Sequence, residues 1–506
     1  MGNSRLENTK RNIVVSYINT VITFIFSFLY RTVMLKVLGS EYLGLSSLFT
    51  SILQVLNMAE LGFSSAIVFN MYKPLAENDT DTVCKLLGYY KRIYTIIGGG
   101  IFIAGIIIIP FIPQIISGSV PVDINLYILY VLYLLNTTVS YFLFAYKSSL
   151  LEAMQRMDLT KIISTIINIF QYCSQLFAII VLKNFYIIVI IQILSTAIYN
   201  IAVGYLTSRK YPQYTCKNGL SNKTKADIKT RVKGLMICKI SGITYTTFDS
   251  IIISAFIGLN SVAIYNNYIV VFNAVSNIIL MLRNAMQASV GNSIVSEKKS
   301  KNYEDLMLWQ FLFSEIATLC VGCMLCLYQP FMELWMGTNM LLPMRDVVLI
   351  CMWFAVTVIQ HSYYLYLTGS GLWWEMRLSY IASTIFNIVC NVILGRVFGI
   401  TGIIFSTLLA QIIFGLFWQC SIIFKHYFES SAIHFLRKQV KYFAFMSAIC
   451  IIEYCVCDIL RIEGIIGLIL KAVLCIAITG IFSFLIYRKT DMFRQTKILV
   501  KRIVKR

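Results

Sequence analysis

Apolar runs close to 20 residues long recur from one end of this chain to the other. That length is what an α-helix needs to cross the hydrocarbon core of a bilayer, roughly 20 residues. Fourteen such runs can be drawn, roughly at 13–37, 42–72, 93–117, 125–146, 161–182, 185–207, 236–257, 264–290, 306–329, 346–369, 378–396, 399–424, 441–460 and 465–487. They are continuous rather than alternating, which fits helices and not barrel strands. Composition agrees: 58% of residues are hydrophobic and 13% charged, against about 45–50% and about 25% in soluble domains. The expected fold is an all-α polytopic membrane protein with about fourteen transmembrane helices. The first run is too long for a signal-peptide core and lacks a small-residue cleavage site, so no cleavable signal is expected.

A net charge of +20 raises the question of nucleic acid. The distribution of that charge answers it. With the N-terminus in the cytoplasm and fourteen spans threaded, Lys and Arg gather on the cytoplasmic side, most densely in 208–239 and 488–506. The outer side holds only Arg31, Lys36, Lys183, Arg345, Arg396 and Arg461. This is the positive-inside pattern, which places both termini in the cytoplasm. The excess reads as topology and contact with anionic membrane lipids, and no nucleic-acid partner is expected. Cys320, Cys323 and Cys326 have CxxC spacing. They lie within one apolar helix, where Cys behaves as a small hydrophobe, so neither a metal nor a cofactor is expected.

Four charges interrupt the apolar stretches: Arg31, Glu60, Asp249 and Arg283. An ionisable group inside a bilayer costs roughly 3 kcal/mol on insertion scales, so it usually lines a wet path or pairs with a partner. The chain can also be superposed on itself at an offset of 219 residues. Leu38-Gly39-Ser40-Glu41 then meets Ile257-Gly258-Leu259-Asn260, with each Gly in the turn between a first and a second span. Six spans separate the halves, an even number, so the repeats are parallel. The expected organisation is an N-lobe at 1–207, a C-lobe at 208–424 and a C-terminal helix pair with a basic tail at 425–506. The repeat pairs Arg31 with Ser250, beside Asp249, towards the outer side. It pairs Arg283 with Ser64, one turn from Glu60, towards the inner side. Arg31–Asp249 and Glu60–Arg283 are therefore expected as two opposite-charge contacts that open and close with transport.

Two stretches carry a family likeness. One is Met58-Ala59-Glu60-Leu61-Gly62-Phe63-Ser64-Ser65-Ala66-Ile67 leading to Tyr72-Lys73-Pro74-Leu75-Ala76-Glu77. The other is Asp249-Ser250-Ile251-Ile252-Ile253-Ser254, then Gly258, then Tyr265-Asn266-Asn267-Tyr268. With the span count and the paired lobes, they resemble the polysaccharide (O-antigen and capsule-type) flippases of the multidrug/oligosaccharidyl-lipid/polysaccharide exporter superfamily. The resemblance covers most of the chain. It implies that spans one, two, seven and eight line a central cavity between two six-span lobes. It implies a substrate, an undecaprenyl-pyrophosphate-linked oligosaccharide, turned from the inner to the outer leaflet of a bacterial cytoplasmic membrane by alternating access. Glycosyltransferases or a polymerase of the same pathway are the expected protein partners.

Other residues stand behind these. His361, in span ten, and Glu315, in span nine, are candidates for ion coupling. Glu453 and Asp458 are ion ligands or end-of-helix groups. Lys239 is expected to snorkel, and Tyr245, Tyr265 and Tyr268 to stack on sugars or to pack. Asp79-Thr80-Asp81 matches a DxD pattern, but Asn78 or Asp79 is expected to cap a short helix instead. That helix would lie on the membrane surface with Val83, Leu86, Leu87 and Tyr90 as its apolar stripe. No P-loop, HExxH or nucleophile elbow occurs, which points to a non-enzymatic secondary transporter. Two alternatives stay open. A drug–cation antiporter of the same superfamily would want an acidic residue in 13–30, which has none. A membrane-embedded polymerase or glycosyltransferase would want a large outer loop, which is absent.

Overall fold

The computed structural model describes residues 2–60, 63–118, 120–460 and 462–496. All regular elements among them are helical. They form two compact units, 1–263 and 264–506. Leu61, Gly62 and Arg461, with the side chains of Lys239 and Tyr245, lie outside the described residues.

The first unit contains α1 (Gly2–Val37), α2 (Ser40–Asn57), α3 (Phe63–Ala76), α4 (Thr80–Ile108), α5 (Leu126–Phe142), α6 (Ser148–Ala153), α7 (Met157–Phe177), α8 (Phe185–Lys210) and α9 (Asn222–Phe256). Helix starts follow capping chemistry, in which a short polar side chain takes up an orphan backbone N–H. Asn125 accepts from the amides of Tyr127 and Ile128, Asn184 from those of Tyr186 and Ile187, and Ser221 from that of Thr224. α1 packs along α7, where Asn19 Nδ2 donates to Thr165 Oγ1 at 2.8 Å. α9 packs along α2 and α3.

α10 (Leu259–Ser296) begins at the end of the first unit and runs into the second. There follow α11 (Lys299–Met336), α12 (Met344–Ser370), α13 (Arg377–Phe398), α14 (Ile400–Ala410), α15 (Cys420–Ile423), α16 (Ile433–Ile459) and α17 (Gly464–Tyr487). α14 and α15 are joined by π-helical turns into a single span, Ile400–Phe428. α11 is the hub of this unit, packing against α12, α16 and α17. Large apolar side chains such as Phe170, Val397 and Ile466 stay exposed in both units. In water such a surface would drive association; in a bilayer it faces acyl chains.

Among the described residues, eleven helices are long and apolar enough to cross a membrane, or twelve if the bent pair α5 and Phe144–Ala153 is one span. The expected fourteen is therefore not reached. The run at 42–72 is broken by a 3₁₀ turn at Met58–Glu60, and of the run at 236–257 only Thr247–Phe256 is described as an apolar helix. The short surface helix expected after Pro74 is overturned. Asp79 does cap a helix, accepting from the Thr82 amide at 3.0 Å. That helix is not short, however: α4 continues for 29 residues. Val83, Leu86, Leu87 and Tyr90 pack in the core with Ala66, Ile67 and Met71 of α3. The Lys85, Lys91 and Arg92 charges had disguised the continuity of this helix.

The two glycine turns that the 219-residue offset superposes share one geometry. Gly39 has φ +109° and Gly258 has φ +121°. The Gly39 amide donates to Met34 O at 3.2 Å, and the Gly258 amide to Ile253 O at 3.0 Å. Each bond spans the same five residues, so the two turns are closed by the same hydrogen-bonding device. A positive φ of this size belongs essentially to Gly.

Candidate functional site

Glu60 sits where the chain leaves α2, in the 3₁₀ turn that interrupts the apolar run. Both carboxylate oxygens have donors. Tyr141 Oη donates to Oε2 at 2.6 Å, and Tyr94 Oη donates to Oε1. Tyr90, Tyr94 and Tyr141 are buried side by side, with ring centroids 4.7 and 5.0 Å apart. Asn57 Oδ1 lies 3.2 Å from the Tyr141 hydroxyl. The result is a half-buried carboxylate whose two oxygens are both held by phenols. Sequence reading missed Tyr94 and Tyr141, because Tyr in an apolar run reads as packing.

Arg31 is half-buried on α1, close enough to Tyr30 and Tyr172 to interact electrostatically. The Tyr172 ring lies 6.0 Å from those of Tyr30 and Phe26. Asp249 and its neighbour Ser250 are completely buried on α9. Nearby Thr247 Oγ1 donates to Gln54 Oε1 of α2 at 3.4 Å.

In the second unit, Arg283 of α10 reaches α12. Its Nη1 lies 3.3 Å from His361 Nδ1, and Nη2 donates to Asn284 Oδ1 at 3.4 Å. Arginine has only donors, so His361 Nδ1 accepts, and the proton of the neutral ring is on Nε2. His361 is buried, edge-on to Phe313. Arg283 Nε is buried with no hydrogen-bond partner among the described residues. One turn along, Gln287 Nε2 donates to Leu365 O at 3.0 Å and Gln287 Oε1 accepts from Thr368 at 2.8 Å. A polar seam thus joins α10 to α12, with the buried Nε of Arg283 unbonded among the described residues.

The remaining candidates divide. Glu315 faces Ser483 of α17, with Oε1 buried and unbonded among the described residues. Glu453 is fully buried and accepts from Thr479 at 2.6 Å, in space left by Gly322. It is an interface residue, not an end-of-helix group. Tyr265 and Tyr268 are completely buried, and the Tyr268 hydroxyl donates to Gln329 at 2.7 Å. They pack rather than offering a face to a sugar. Asp81 of the DxD pattern pairs with Lys85 at 2.6 Å and Lys217 at 3.0 Å. Cys326 meets Cys457 and Cys475 between α11, α16 and α17, with the three thiols within 4.8 Å of one another. That spacing would admit a thiophilic metal, which the CxxC reading along one helix did not foresee.

Comparison with known proteins supplies the family. The structure is similar to that of the lipid II flippase MurJ in an inward closed conformation, with a TM-score of 0.64 at 16% identity over 94% of this chain and 99% of that one. An inward-facing multidrug resistance MATE family transporter of the MOP superfamily gives 0.62 at 14% identity, covering 81% of this chain and 98% of that one. A MOP superfamily transporter from Pyrococcus furiosus gives 0.54 at 12%, covering 83% and 96%. At these identities the likeness is one of fold: this is a multi-pass membrane protein with a MurJ- and MATE-like architecture. Among curated proteins compared by sequence, none matches. The family model described as polysaccharide biosynthesis protein matches residues 9–287 of the 506, and the chain belongs to that family.

Proposed function

We propose that the chain is a flippase that carries undecaprenyl-pyrophosphate-linked oligosaccharide from the inner to the outer leaflet of a bacterial cytoplasmic membrane by alternating access, with both termini in the cytoplasm. The family and the MurJ-like fold support the reading, but one observation carries it. Arg283 is half-buried, and its Nε donor is buried with no hydrogen-bond partner among the described residues. A cationic donor left without a partner is costly, and a pyrophosphate oxygen would satisfy it. Arginine presents parallel N–H groups that match phosphate geometry.

In this reading Arg31 and Asp249 serve the outer part of the path, and Glu60 and Arg283 the inner part. The lobes of the transport cycle are 1–207 and 208–424, with 425–506 as an added pair. His361 and Glu315 are the ion-coupling candidates. Protonation of His361 Nδ1 would remove the acceptor that Arg283 now uses and set two cations side by side. Arg283 would then be released towards an anionic substrate, which is the differential contact that alternating access requires. Glycosyltransferases or a polymerase would supply and consume the cargo.

The test is surface polysaccharide in cells that depend on this protein. Arg31→Ala and Arg283→Ala should each abolish it while the protein accumulates at normal levels. Normal polysaccharide in both variants would refute the reading.

A further inference from the structure

A second charged feature lies within the first unit. An open cavity of about 540 Å³ is lined by one face of α4, residues 217–220, and the start of α9. Its lining includes five cations: Lys85, Arg92, Lys217, Lys225 and Lys229. Among the described residues, the one carboxylate paired with any of them is Asp81, which bonds Lys85 and Lys217. Arg92, Lys225 and Lys229 make no ion pair with a described carboxylate.

The cavity is held in shape by backbone packing. The Lys217 amide donates to Cys84 O at 3.0 Å, and the Thr215 amide to Cys84 Sγ at 3.3 Å. The Lys217 carbonyl lies against Gly88, in the space that any side chain there would fill. The Asp81 bridge fixes the same crossing and holds the Lys217 ammonium above its usual pKa.

Its character changes along α4. Lys85, Gly88, Tyr89, Arg92, Ile93 and Ile96 recur at helical spacing on one face. The cations stand nearer the helix start, on the side that the Lys and Arg distribution assigns to the cytoplasm. Ile93, Ile96 and Ile97 stand deeper, joined by Phe63 of α3. From Lys85 to Ile96 the helix rises about 16 Å. A cationic mouth at the membrane surface and an apolar floor below it match a molecule with a phosphate at one end and hydrocarbon at the other.

We infer that this cavity binds the phosphate or pyrophosphate head of a lipid in the cytoplasmic leaflet, with the head among Arg92, Lys225 and Lys229 and the chain along Ile93, Ile96 and Ile97. The site is separate from Arg31 and Arg283 and does not depend on which cargo is moved. Polybasic groups at the membrane surface attract anionic lipid, and the apolar floor adds selection for a lipid over a soluble anion.

The test uses the full chain in detergent micelles, in an Arg31→Ala/Arg283→Ala background that removes the proposed transport site, and also in the unaltered protein. Farnesyl pyrophosphate, inorganic pyrophosphate and farnesol are titrated separately. Farnesyl pyrophosphate should bind, and both other probes should bind at least ten-fold more weakly. Arg92→Ala/Lys229→Ala should weaken farnesyl pyrophosphate at least ten-fold, and Arg92→Lys/Lys229→Arg should restore it. Equal affinity in Arg92→Ala/Lys229→Ala overturns the site. Inorganic pyrophosphate binding as tightly as farnesyl pyrophosphate overturns the lipid assignment, and farnesol binding as tightly overturns the role of the cations. Failure of Arg283→Ala to affect surface polysaccharide would bear on the transport reading alone.

Discussion

Glu60 and Arg283 are both charges set in apolar surroundings, yet their environments differ in kind. Glu60 receives a tyrosine hydroxyl on each carboxylate oxygen. Arg283 leans on a neutral His361 and an Asn, and keeps Nε buried without a bond among the described residues. A saturated charge fixes structure, because its partners lose more by separating than they gain. An unsaturated one stores a cost that a ligand can relieve. Charge inside a membrane is therefore a weak sign of function until its hydrogen bonds are counted, and the unbonded Nε is why we propose Arg283 as a contact for an anionic ligand.

The comparison can be broken most sharply at the guanidinium. Arg283→Lys keeps the charge but loses the fork and the Nε donor. Transport should fall at least ten-fold, with little change in thermal stability. A fully active Lys variant would show that charge alone suffices. The tyrosine side should behave oppositely. Tyr141→Phe removes a donor from a half-buried carboxylate, at a cost of about 1–3 kcal/mol. The melting temperature in detergent should drop, while transport per folded molecule stays near that of the unaltered protein. A large transport defect without destabilisation would move Glu60 into the class of Arg283.

A finer comparison concerns the two repeat turns. Gly39→Ala and Gly258→Ala both force a side chain into a backbone region that strains it by about 1–3 kcal/mol. A Cβ at Gly258 would also meet Ser117 O at 2.9 Å, whereas nothing lies within 4 Å of one at Gly39. Gly258→Ala should therefore unfold at the lower temperature. Equal losses would mean that the Ser117 segment yields freely.

The spans were legible because a bilayer-length apolar run admits few other structures. The turns at Gly39 and Gly258 were legible, since a turn with positive φ leaves a glycine in the sequence. The break at Met58–Glu60 left no such mark, and neither did the continuity of α4, whose first three turns carry charges that also suit a surface helix. The four intramembrane charges stood out by cost alone. Their partners did not: Tyr94 lies 34 residues from Glu60 and Tyr141 lies 81, while His361 lies 78 from Arg283. Tertiary packing made those pairs, and no local periodicity encodes it.

The most direct measurement is the flipping rate of an undecaprenyl-pyrophosphate-linked oligosaccharide in proteoliposomes containing the Arg283→Ala variant, normalised to folded protein. The rate should lie at the protein-free background, with a melting temperature matching that of the unaltered chain. A rate equal to that of the unaltered chain would contradict it.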